Sequence, residues 1–332
     1  MRIWVLTDGK AGDLQPCLGV ADRVAGLMGT GQQETVIEQR VVKPGPPWVW
    51  LMPYGPVSPF IKPNSPDDPL RKPYPDIAIA SGRRAVAYLR SLKQRAPECL
   101  TVFLKDPKTG TGTADIIWVP GHDTLRGPNV LVSDTGPHRI SQDLLAAKRA
   151  EPNPQIAALP HPRLAVLLGG PAQKTIYDED DLARLAENLE ALANQAGSVL
   201  ITASRRTPST WLEALAPLVA SKPGIVWTPH STTDNPYQDY LACADTLVVT
   251  GDSHNMVSEA LATGVPVYLF APRQLSPKLS AFLKAVYAHE LALPLDKTSH
   301  SNLVLTQHKP IDSTTMIAEK IRDKLKARKP DL

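Results

Sequence analysis

Apolar residues in this chain come in short unbroken runs, separated by longer stretches in which they recur every three or four positions. The runs predict strands at Ile3–Thr7, Val36–Val42, Asp76–Ala80, Leu100–Leu104, Ile116–Val119 and Asn129–Val132. A second series follows at Arg163–Leu168, Ser198–Thr202, Ile225–Thr228, Thr246–Thr250 and Val265–Phe270. Continuous rather than alternating apolar runs suit parallel strands covered on both faces. The spaced stretches predict helices. The clearest covers Asp181–Gln195, with Leu182, Leu185, Leu189 and Leu192 on one face, acids at its start and Gly197 beyond its end. Others begin near Arg83, at Asn235-Pro236 and after Ser253. A final one spans Asp312–Lys326, with Ile317, Ile321 and Leu325 in line. Strand–helix alternation throughout predicts doubly wound parallel sheets, an α/β fold.

Two segments interrupt the alternation. The stretch EPNPQIAALPHP at 151–162 reads as a linker, after which a fresh strand–helix series begins. We therefore expect an N-terminal Rossmann-like domain over 1–158, a C-terminal one over 159–310, and a helix within 311–332 that crosses back onto the first. The second interruption runs from Pro44 to Pro75 and holds eleven of the 33 prolines, with Trp48, Trp50, Leu51, Tyr54, Phe60 and Ile61 among them. Such a segment cannot form a long helix or a central strand. Its apolar groups beside Lys62, Arg71 and Lys72 suit an anionic membrane face or a lipid-linked acceptor, against the plainer role of capping the first domain.

Composition narrows the function classes. The chain has 332 residues and a formal charge of +3, which argues against a dedicated nucleic-acid binder. Three cysteines, far apart and odd in number, form no disulfide framework and have no metal-ligand spacing. No apolar run approaches bilayer length, and the N-terminal run is too short for a signal-peptide core. We expect a cytoplasmic protein, peripheral to a membrane at most, with no bound cofactor and no metal site.

Candidate chemistry gathers after the strands, where open parallel sheets bind ligands. In the first half these positions hold Thr7, Asp8, Gly9, Lys10, Gly12 and Asp13, then Arg83, Asp106, His122 and His138. In the second half they hold Gly169, Gly170 and Pro171, then Ser204, Arg205, Arg206 and Thr207, then Gly251, Asp252 and Ser253. If these edges face each other across a cleft, one ligand could touch both domains. The stretch Gly251–Ala260 is the most informative: a strand stops, glycine allows close approach, and a helix starts whose free N–H groups suit a phosphate. Asn255 and Ser258 lie on that turn and helix, and Glu259 sits where a carboxylate could take both hydroxyls of a ribose. The plain alternative is that Ser253 caps the helix and Glu259 is a solvated charge. Asn235 is read first as a helix start. No G-x-G-x-x-G follows the first strand, and no G-x-x-x-x-G-K-[ST] occurs, which weakens dinucleotide and P-loop readings.

The segments TDGKAGD (7–13), PDIAIASGRR (75–84), KDP (105–107), LGGP (168–171), TASRRTP (202–208), NPY (235–237) and TGDSHNMVSEALATGVPVYLF (250–270) resemble, in order, the mitochondrial-fission ELM family. The resemblance implies the glycosyltransferase-B fold. The last segment also resembles the donor-site helix of the peptidoglycan glucosaminyl transferase, which implies Glu259 as ribose ligand and Gly169–Pro171 as phosphate loop. On this basis the expected function is transfer from a nucleotide-diphosphate sugar. Its donor would lie on the second domain, against Gly169, Gly170, Arg205, Ser253 and Glu259. Its acceptor would lie on the first, with Asp13 or His138 as base. Two alternatives stand beside it: a non-catalytic adaptor with a protein partner, and a nucleotide-sugar epimerase.

Overall fold

The structure, a computed structural model, describes residues 1–29, 34–172, 174–296 and 303–329. Its elements run β1 (Arg2–Thr7), α1 (Ala11–Met28), β2 (Val36–Val41), α2 (Trp48–Leu51), β3 (Ile77–Ser81), α3 (Ala85–Arg95), β4 (Leu100–Leu104), β5 (Ile116–Pro120) and β6 (Val130–Ser133). The chain continues with α4 (Gln142–Ala150), α5 (Pro154–Ala157), β7 (Arg163–Leu168), α6 (Glu179–Ala193), β8 (Ser198–Ala203), α7 (Ser209–Ala220) and β9 (Gly224–Trp227). Then come α8 (Tyr237–Cys243), β10 (Thr246–Thr250), α9 (His254–Leu261), β11 (Val267–Phe270), α10 (Pro277–Ala288), β12 (Leu293–Pro294) and α11 (Ser313–Arg328).

The chain divides into two units, each a Rossmann-like layer of parallel strands between helices. One comprises Met1–Arg139 with Asp312–Leu332, the other Ile140–Ile311. The division falls after Arg139, not at the proline-rich stretch near 158. The reason is packing: α4 lies against α8, and Leu145 and Ile156 sit in the core of the second unit with Tyr240 and Leu241. The helix α11 belongs to the first unit. It packs along α1, with Ile317, Ile321 and Leu325 fully buried beside Val20 and Val24. Residues 330–332 lie outside the described ones.

The first unit's sheet has the order β2-β1-β3-β4-β5-β6 and the second's β12-β11-β10-β7-β8-β9, all pairs parallel. The central strands β3, β4, β5, β7, β8 and β10 are buried at every position, as their unbroken apolar runs require. In each sheet the strand order reverses once, at β1/β3 in the first unit and at β7/β10 in the second. Beyond the carboxyl ends of the strands, such a reversal opens a crevice between loops that leave in opposite directions.

The proline-rich segment is half anchored. Met52 and Leu70 are buried, and the buried carboxylate of Asp68 pairs with Arg95 at 2.6 Å and accepts the N–H groups of Asn64 and Leu70. Trp50, Leu51, Tyr54 and Phe60 remain exposed, Phe60 at 81%. Among the described residues no helix is long and apolar enough to cross a membrane.

Candidate functional site

In the second unit the reversal point is built around one carboxylate. Asp252, buried, accepts the N–H of Gly170 at 3.0 Å, the hydroxyl of Tyr177 at 2.9 Å and the guanidinium of Arg206 at 2.9 Å. Next to it, Thr250 Oγ1 accepts the N–H of Gly169 at 2.7 Å. Burial, then the Asp252 charge, push the Tyr177 hydroxyl far above the ordinary phenol range. A Cβ on Gly169 would stand 2.2 Å from Asp252 Oδ2, and one on Gly170 would stand 2.3 Å from the Arg206 carbonyl. These glycines therefore admit protein groups at close range. The N–H groups expected to face a pyrophosphate already donate to Thr250 and Asp252.

The neighbouring loop is tied to the same frame. Ser204 Oγ donates to the Gly169 carbonyl at 3.0 Å, and Thr207 Oγ1 donates to the Leu168 carbonyl at 3.0 Å. Arg206 also donates to the Gly170 carbonyl at 3.0 Å. Gly251 lies under Leu283 and the Phe270 carbonyl. Ser258 is buried, with its hydroxyl on the His254 carbonyl at 2.8 Å. Pro171, Arg205, Arg206 and Asn235 remain exposed, with Ser204, Thr207, Ser253 and Asn255 half-buried. Ser253 Oγ accepts the N–H of Met256 and caps α9, while Asn235 Oδ1 accepts the N–H of Tyr237 just ahead of α8.

Glu259 stands apart from this closed network. It lies in the second turn of α9, half-buried, and its carboxylate accepts the Tyr237 hydroxyl at 2.5 Å. Burial pushes its pKa up to about 7, against the opposing effect of the tyrosine hydrogen bond. Burial, followed by the Glu259 charge, holds the Tyr237 hydroxyl well above its ordinary value. A carboxylate desolvated beside a neutral donor is poised to take further hydroxyl donors. Tyr237 is the residue that sequence reasoning passed over. The NPY segment was legible, but its tyrosine reaches Glu259 only through the tertiary packing of α8 and α9 into the same core.

In the first unit the reversal point is open and charged. Asp13 is in the first turn of α1, not in a loop. It accepts Ser81 Oγ at 3.0 Å and Lys105 Nζ at 2.6 Å. Gly82, at φ +91, brings its backbone against Asp13. Asp8 faces Lys10 at 3.2 Å and Arg84 at 3.6 Å, and Thr7 Oγ1 accepts the N–H of Gly9. Asp106 pairs with Lys108 at 2.6 Å, and Arg83 donates to the carbonyls of Trp50 and Met52. Gly12 is exposed, its carbonyl 3.4 Å from Lys105 Nζ, and His122 is half-buried in the turn after β5. His138 is elsewhere: it is buried, its backbone is clamped by Thr314, and its carbonyl lies against Gly19. Lys105 was missed as a site residue, although KDP after β4 marked the place.

Comparison with known proteins adds the lineage. A model of the family described as Mitochondrial fission ELM1 matches residues 11–325. The "Mitochondrial fission protein ELM1" of Arabidopsis thaliana is 27% identical over 280 residues, which take in 76% of this chain and 65% of that relative's length. An uncharacterized protein of Rickettsia prowazekii is 26% identical over 99% of this chain and 100% of its own. Among solved structures, the UDP-GlcNAc 2-epimerase of Methanocaldococcus jannaschii superposes with a TM-score of 0.59 at 11% identity, covering 98% of this chain and 100% of that one. A glycosyltransferase from Rickettsia africae gives 0.50 at 12%, covering 100% and 99%. Two Rossmann-like units with such neighbours define the glycosyltransferase-B fold, and the chain belongs to the mitochondrial fission ELM1 family.

Proposed function

We propose that the second unit binds a nucleoside-diphosphate sugar beyond the carboxyl ends of β7 and β10, and that the protein transfers the sugar to an acceptor bound by the first unit. The observation that carries this reading is the Glu259–Tyr237 pair. Its carboxylate is costly to ionise where burial holds it, and a ribose offers the two adjacent hydroxyls that would compensate it. The diphosphate falls to the exposed Arg205 and to the first N–H groups of α9, since those of Gly169 and Gly170 are committed within the fold. Arginine and helix dipole would stabilise the leaving diphosphate. Asp13, oriented by Ser81 and Lys105, is our choice of base for the acceptor hydroxyl. His138, buried and clamped, is not. Solved proteins of this fold include ones named for UDP-GlcNAc, which supports starting with uridine nucleotides.

Calorimetric titration with UDP-, GDP- and dTDP-sugars tests the reading. One series should bind, and Glu259→Ala should weaken it about ten- to a hundredfold, the loss of charge-assisted hydrogen bonds. Absence of binding by all three would overturn it. Product analysis with and without an acceptor separates transfer from epimerisation, which releases an altered free nucleotide sugar.

A further inference from the structure

A cavity of about 180 Å³ opens in the first unit at the carboxyl ends of β3 and β4. By the volume a water occupies in the liquid, it has room for about six, enough for a phosphoryl group and a few carbons. Its polar lining is Arg83, Lys105, Asp106 and Lys108, and Tyr54 and Phe103 supply apolar wall. Three cations thus meet two carboxylates, Asp106 in the lining and Asp13 beside Lys105. The Lys108 ammonium is paired with Asp106 and that of Lys105 with Asp13. The contacts of Arg83 are to the neutral carbonyls of Trp50 and Met52, which orient the guanidinium and leave its charge uncompensated.

The backbone carries a second, independent sign. Among the described residues four that are not glycine have positive φ, and two of them are the lysines of this cavity, Lys105 at 97° and Lys108 at 63°. A side-chain-bearing residue in that region is strained and persists only where its surroundings enforce it. Here the Lys105 N–H is held by the Trp118 carbonyl at 2.7 Å and the Lys108 N–H by Asp106 Oδ1 at 2.8 Å. Glycine would occupy both positions more comfortably. Lysine at both places two cationic side chains in the lining of one small cavity that already contains an arginine, with the Lys105 ammonium drawn toward Asp13.

We propose that this cavity binds the phosphoryl group of a small phosphomonoester, with Arg83, Lys105 and Lys108 on its oxygens and the carrier's apolar part against Tyr54 and Phe103. A phosphoryl group, with three terminal oxygens, can engage the Arg83 fork and a lysine together, which the two oxygens of a carboxylate do less well, and it fits the limited volume better than a polymer. The cavity lies wholly within the first unit, so the proposal stands or falls independently of nucleotide-sugar binding by the second.

The test is titration of the full chain with phenyl phosphate at constant ionic strength, with benzoate and phenol in parallel. Phenyl phosphate should bind more tightly than benzoate, and phenol should not bind. Arg83→Gln and Lys108→Gln should each weaken phenyl phosphate about tenfold or more. Lys108 is well exposed, so its variant tests the site without risk to folding. Lys105→Gly should also weaken binding yet raise the thermal midpoint, because glycine relieves the positive φ. Benzoate binding as tightly as phenyl phosphate, or full affinity in Lys108→Gln, would overturn the proposal.

Discussion

The two strand-reversal points draw on the same residue types and reach opposite states. In the second unit the acid, Asp252, is sealed from solvent and saturated by a glycine N–H, a tyrosine and an arginine. In the first unit Asp13 and Asp8 rest mainly on lysines and an arginine that are partly in water, 49% exposed for Lys105 and 70% for Lys10; Arg206 is 40% exposed too, but Asp252 also holds a glycine N–H and a tyrosine hydroxyl. A buried carboxylate with fixed donors acts as a structural rivet, because removing it strands every partner. A carboxylate with solvated partners can exchange them for a ligand at little cost. The fixed neutral donors around the acid, not residue type, separate scaffold from site.

The sharpest way to break this contrast is to delete each acid. Asp252→Ala should lose about 3–5 kcal/mol of stability by urea unfolding, and Asp13→Ala less than about 1 kcal/mol. Equal losses would dissolve the distinction.

Glu259 sharpens it from the other side, as a half-buried acid with one neutral hydroxyl as its hydrogen-bond partner. Its pKa rises from 4.5 unfolded to about 7 folded. Between those values the folded state holds the extra proton, so stability falls as pH rises through the window. Below it the residue has no effect, and above it the cost levels off at about 3 kcal/mol. Glu259→Gln should therefore match wild type near pH 4 and be more stable by roughly that amount above neutrality. A pH-independent difference would remove Glu259 from the list of strained groups.

The smallest effect concerns two glycines. Gly170→Ala forces a methyl onto the Arg206 carbonyl and should cost about 2 kcal/mol. Gly12→Ala, with nothing within 4 Å of the added carbon and a helical backbone, should be neutral or gain up to about 1 kcal/mol. Thermal midpoints of the two variants decide it.

Much of the fold was legible because a strand covered on both faces cannot hide its apolar run. Leu100–Leu104, Arg163–Leu168 and Thr246–Thr250 were delimited to the residue. The two-residue β12 carries no run to read. The unit boundary was misplaced because prolines at 152–162 signal a break in backbone regularity. Membership in a unit is decided instead by the contacts of Leu145 and Ile156, which no local pattern announces. The site was legible as a set of loops and not as a set of roles. Ser204, Thr207, Gly251 and Ser258 look like ligand contacts in sequence, yet each spends its polar or small group on a neighbouring strand or helix. Long-range partners such as Tyr177 for Asp252 and Tyr237 for Glu259 decide which groups stay free, and they stand far off in the chain.

The docking of α11 on α1 orders events during synthesis. A ribosome that has delivered residues 1–139 has made the first unit's strands and α1, whose face along Val20 and Val24 still lacks Ile317, Ile321 and Leu325. All of residues 140–311 must emerge before that face can be covered, so the unit translated later can finish folding first. Until then the nascent first unit leaves that apolar face of α1 uncovered.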